Sequence, residues 1–140
     1  MKRKRTKARE LALQVLFAIE TSQINSDEVI SIFWQERKNT LPEIKEFANS
    51  LIRGVLKRIS EIDSLITSHA NNWEISRIAI VDRNILRLGI FELMEMKNTP
   101  QAVVINEAVE LAKIYSTQDS PRFVNGILDK IKEDISNVKT

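Results

Sequence analysis

The residues best suited to chemistry open the chain. Lys2, Arg3, Lys4, Arg5, Lys7 and Arg9 place six positive charges in the first nine residues, with no acidic side chain among them. Such a cluster attracts anionic partners, nucleic acid above all. A solubilising terminus is the plainer alternative. The segment then turns apolar with helical spacing at Ala8, Leu11, Ala12, Val15, Leu16 and Ile19, which predicts a helix with a buried face. Cations at a helix start oppose its macrodipole, so the helix gains nothing from them. Something outside the helix should need them.

Other candidates are weaker. Glu107 and Glu110 are one helical step apart, but the only histidine is His69, so no histidine-assisted metal cluster can form around them. There is no Cys, and three isolated glycines (Gly54, Gly89, Gly126) cannot build a phosphate-cradling loop. Catalysis and metal chemistry are therefore not expected, and no cofactor is expected. Arg83 and Arg87 share a helix face; a carboxylate from a neighbouring helix or a bound phosphate would explain the pair. His69 reads as a residue near a helix end, or as a ring that stacks on a base. In Ser116–Phe123, Ser120 can cap a helix with Pro121 at its first position. The exposed N–H groups there could hold an anion beside Arg122. Phe123 could offer its ring, or simply head a core stripe with Ile127.

The elements that must position these residues read as all-α. Helices are expected at about 6–22, 27–38, 42–58, 60–71, 77–96, 101–116 and 121–135. Thr40-Leu-Pro-Glu43 matches a capping box, Ser60–Asp63 a weaker cap with a bend, and Asn71-Asn72 a turn before Trp73. Residues 77–96 are apolar around most of their circumference and should lie centrally. Gly89 within them, and Gly54, suggest close helix approach. The 140 residues suffice for one compact seven-helix domain, 1–140, with a basic arm at about 1–9. Of 21 Lys and Arg, six lie in the arm, leaving 15 against 19 Asp and Glu, a formal −4 for the rest. No apolar run approaches a membrane span and no secretory signal is evident, so a cytoplasmic protein without a membrane partner is expected.

Four strings, AREL-ALQVLF (8–17), VDRNILRLGIFEL (81–93), INEAVELAK (105–113) and FVNGILDKI (123–131), resemble the NusB family in order and spacing. The resemblance runs from about residue 5 to 133. It implies two packed three-helix bundles with an extra helix. It also implies a non-catalytic RNA-binding antitermination factor that pairs with NusE, a small-subunit ribosomal protein. The pair would act on single-stranded boxA RNA of ribosomal RNA leaders within the transcription elongation complex.

By the same resemblance, Arg5, Lys7 and Arg9, extended by Lys2, Arg3 and Lys4, contact RNA phosphates. Phe17, His69 and Phe123 lie near the RNA path, with Asp119, Arg122 and Asn125 at the loop and helix start associated with RNA. Asp82, supported by Arg87 and Glu92, is assigned to NusE docking. His69 is a smaller ring than the Tyr of some relatives. Alternatives are a helical protein-interaction scaffold, a ribosomal RNA maturation factor without antitermination, or the RNA-binding domain of a ribosomal RNA methyltransferase. The absence of a cofactor-binding region argues against the last. Homodimerisation is left open.

Overall fold

The computed structural model describes residues 2–71 and 73–138, and the side chains within that range except those of residues 2, 3, 137 and 138. Among the described residues there are seven α-helices and no strand: α1 (Lys2–Ser22), α2 (Ser26–Gln35), α3 (Pro42–Lys57), α4 (Ile59–His69), α5 (Ile80–Glu95), α6 (Gln101–Tyr115) and α7 (Ser120–Val138). A short 3-10 turn at Ile75–Arg77 precedes α5. Helices α1, α2 and α3 pack as one bundle and α5, α6 and α7 as the other, with α4 the extra helix against α3, α5 and α7. No described helix is long and apolar enough to cross a membrane.

Helix α5 is central, as its apolar circumference requires. It packs against α1, α3, α4, α6 and α7. Ile85, Leu86, Leu88 and Ile90 are essentially inaccessible. Close approach explains both helix glycines. A Cβ on Gly89 would sit 2.9 Å from Leu128 Cδ1, and one on Gly54 would run into the Phe91 ring.

Several boundaries differ from the sequence reading for identifiable reasons. Helix α3 is capped at Leu41, not Thr40, whose hydroxyl turns back to the Arg37 carbonyl at 2.9 Å. The bend before α4 falls at Arg58, not Ser60; the Arg58 N–H is shared by the Gly54 and Val55 carbonyls. The Arg58 guanidinium is held by Glu61 and Glu95. Helix α5 starts at Ile80 rather than 77 because Arg83 Nη1 donates to the carbonyls of Ile75 at 3.2 Å and Ile78 at 2.9 Å, pinning that stretch outside the helix. Helix α6 is capped at Pro100 and begins at Gln101, where the sequence places it. Helix α1 begins at Lys2, so the expected arm continues a core helix.

Two polar clusters, one buried and one partly buried, fix α1 antiparallel to α5. At one end, Arg9 Nε and Nη2 donate to the two carboxylate oxygens of Glu92, both at 2.8 Å, and Nη1 donates to Glu107 at 2.9 Å. At the other, Glu20 accepts from Arg83, from Asn84 at 2.9 Å and from Arg87 at 3.0 Å. Arg87 also forks onto Asp63 of α4 at 2.8 and 2.9 Å. The Arg83/Arg87 pair is thus explained by carboxylates of neighbouring helices. Burial works against both cations, yet Arg9 and Arg87 are held above the ordinary arginine range because their carboxylate partners outweigh it.

Candidate nucleic-acid interface

The start of α1 presents three described cations. Lys4 Nζ lies 3.1 Å from Glu43, and Lys7 lies 3.8 Å from Glu10. Arg5 covers the Phe47 ring at 4.6 Å and reaches the Thr99 hydroxyl at 3.4 Å. These contacts lie at the protein surface and leave the charges open to an anionic partner. The side chains of Lys2 and Arg3 lie outside the described residues.

Arg9 differs, and its assignment as a phosphate contact is corrected. It is 4% exposed, and its guanidinium is committed to Glu92 and Glu107. A buried cation needs such partners to offset lost hydration. Glu92 is 2% exposed and Arg87 6% exposed, so neither, assigned to support the Asp82 face, is placed to touch a partner directly. Both tie α5 to its neighbours. Asp82 is likewise nearly buried. Its carboxylate accepts from the Ser116 hydroxyl at 2.5 Å and the Ser120 hydroxyl at 2.9 Å. It therefore holds the α6–α7 connection, and it is not a free surface charge. Ser120 spends its hydroxyl on Asp82 and its neighbours Ser116 and Thr117, not on the helix start it was expected to cap.

A second feature is a cleft of 570 Å³ where the end of α4, the 3-10 turn, the start of α5 and the start of α7 converge. It gathers His69, Asp82, Asp119, Arg122 and Phe123 from the sequence reading, and adds Trp73, Arg77 and Lys130, which that reading did not single out. The side chains of Arg77, Arg122 and Lys130 make no ion pair or hydrogen bond among the described residues. Phe123 is half-buried, packing on the core while one side faces the cleft, so both of its readings meet here. The His69 ring is tied at both nitrogens, Nδ1 2.8 Å from the Leu65 carbonyl and Nε2 2.5 Å from Asp134 of α7. It is a fixed edge of the cleft more than a free stacking face.

Two residues fall elsewhere. Asn125 lines an adjoining groove between α6 and α7 with Arg122, Asn106 and Lys132. Phe17 is 39% exposed on α1, outside the cleft, one turn beyond Gln14, whose amide reaches the Tyr115 hydroxyl at 3.4 Å. No group of three or more His, Cys, Asp or Glu among the described residues is placed to hold a metal ion. The cleft instead combines uncommitted cations, which suit phosphates, with rings and a carboxylate, which suit unpaired bases.

Comparison with known proteins gives a consistent picture. The model of the NusB family matches residues 6–133. A transcription antitermination protein NusB of Sorangium cellulosum is 42% identical over 134 residues, covering 96% of this chain and 95% of that protein. Its namesake in Koribacter versatilis is 44% identical over 131 residues, 94% of this chain and 90% of the relative. Among solved structures, T. maritima NusB superposes with a TM-score of 0.86 at 37% identity, covering 93% of this chain and 91% of that one. A NusB crystallised with NusE and double-stranded RNA has a TM-score of 0.86 at 33% identity, covering 96% and 99%.

Proposed function

The chain belongs to the NusB family, and from that premise we propose a non-catalytic transcription antitermination factor that binds single-stranded boxA RNA of ribosomal RNA leaders together with NusE. The whole chain serves as one RNA-binding domain, in the cytoplasm, as part of the transcription elongation complex. The observation that carries the RNA reading is the cleft: three uncommitted cations beside Trp73 and Phe123. The similar NusB solved with NusE and RNA supports the pairing. That complex holds double-stranded RNA, whereas rings at a cleft suit bases that are splayed out. Lys4, Arg5 and Lys7 supply salt-sensitive affinity by displacing counterions from phosphates. Asp119 and the cleft rings contact bases, and NusE enlarges the surface that selects sequence.

The test is titration with a boxA-type strand, a scrambled strand and a duplex, at two salt concentrations, with and without NusE. The expected result is salt-sensitive binding that NusE tightens for the boxA strand over the other two. Equal weak binding to all three, unaffected by NusE, would refute the reading and leave a helical scaffold with a basic end.

A further inference from the structure

The chain has two tryptophans, and the fold treats them oppositely. Trp34 is 7% exposed, and its indole N–H donates to Asn49 at 2.8 Å. Trp73 is 53% exposed. Its indole N–H has no partner among the described residues.

The backbone accounts for that placement. Helix α4 ends at His69, and Asn71 adopts a φ of 54°, a left-handed conformation that Asn tolerates better than most residues. The Trp73 N–H then donates to the Ala70 carbonyl at 3.0 Å, closing a tight turn. The turn sets Trp73 in the wall of the cleft with His69, Arg77, Phe123 and Lys130. An indole left in water beside three uncommitted cations offers a flat apolar face next to positive charge. A nucleobase with its phosphate matches both parts. An apolar peptide would leave the cations unused, and a free phosphate would leave the ring unused.

We propose that Trp73 is a stacking platform for one base of a single RNA strand, with Arg77 beside it taking the adjoining phosphate. This rests on the RNA-binding reading above and gives one of its cleft rings a defined mode of contact and a defined effect on specificity. Stacking is tolerant of base identity because every base has a π-face. Trp73 therefore strengthens binding to any single strand and does not select boxA. A duplex, whose bases already stack on each other, gains nothing from it.

The test uses the full chain with a boxA-type strand, a scrambled strand and a duplex. Trp73→Ala should weaken both single strands equally, by about tenfold, and leave the duplex unchanged, while Trp73→Phe keeps most of the affinity. Either single strand should quench the Trp73 emission and shield it from acrylamide, with the buried Trp34 as internal reference. Should Trp73→Ala fold poorly, the shielding of Trp73 in the wild-type chain by either single strand, and its absence with the duplex, carries the same decision. Unchanged single-strand affinity in Trp73→Ala, with the wild type binding, overturns the platform alone. So does shielding of Trp73 by NusE without RNA, which would make it a protein contact. A wild type that binds no RNA overturns the RNA reading and the platform with it.

Discussion

Replacing Arg9 with Ala separates structural from RNA-binding roles for the most conspicuous charge cluster. Arg9 is the one arm cation among the described residues with a buried side chain, at 4% exposure. Its removal leaves Glu92, 2% exposed, without its forked partner, and leaves Glu107 with only the Thr6 hydroxyl at 2.5 Å. Stranding a buried charge by deleting its partner costs about 3–5 kcal/mol. Total stabilities are commonly about 5–15 kcal/mol. For a chain of 140 residues the loss corresponds to a melting temperature lower by about 10–17 °C. The assay is thermal unfolding followed by circular dichroism, repeated in high salt. The deficit should persist there, since buried pairs are screened much less than exposed ones.

A companion variant sharpens the test. Arg9→Met with Glu92→Leu and Glu107→Gln removes the charges together. It should recover most of the lost stability, because an apolar replacement of a buried ion pair is often neutral. An Arg9→Ala protein that melts like the wild type, yet binds RNA with a shallower salt dependence, would refute the assignment and restore Arg9 as a phosphate ligand.

Two further outcomes follow from the same sorting of charges. Joint replacement of Lys4, Arg5 and Lys7 by Ala should leave unfolding nearly unchanged, since their pairs are surface pairs; the logarithmic salt slope of single-strand binding should fall by about 2, read by fluorescence anisotropy across a salt series. At Glu20, burial pushes the carboxyl up, but Arg83, Asn84 and Arg87 together hold it below the ordinary value of 4.5. The folded state then binds that proton more weakly than the unfolded one, so the stabilisation is complete above pH 4.5 and is lost as pH falls through the lowered folded value. Glu20→Gln should cost stability at neutral pH and converge on the wild type in acid, measured by urea unfolding across pH.

Periodicity made the helices legible because seven apolar stripes have to meet in one core, and the crowded stripe at residues 77–96 could only lie in the middle. Gly54 and Gly89 were readable because a glycine within a helix needs a reason, and Phe91 and Leu128 supply it. The commitment of Arg9 was not readable. Its partners lie 83 and 98 residues away in sequence, and composition counts charges without showing which are already paired. The same holds for Asp82, whose serine partners come from beyond the end of α6. Trp73 escaped notice because an isolated Trp after a turn has the sequence signature of a core residue; only the left-handed Asn71 turn turns it outward.

The antiparallel pairing of α1 with α5 also separates the two cationic regions. Arg9 meets Glu92 near the C-terminal end of α5, and Asp82 meets the cleft near its N-terminal end. Ten helical residues between those points span about 15 Å. The surface cations of α1 and the ring-lined cleft therefore cannot share one nucleotide; a strand that engages both must run along the molecule. Sites that far apart with no shared partner should contribute additively. The free-energy effects of the Lys4/Arg5/Lys7 replacement and of Trp73→Ala on RNA affinity should thus sum for a long strand. A strand too short to span the gap should respond to only one of them. Sensitivity to both replacements in a dinucleotide would show that the two regions converge on one binding point, against the geometry of α5.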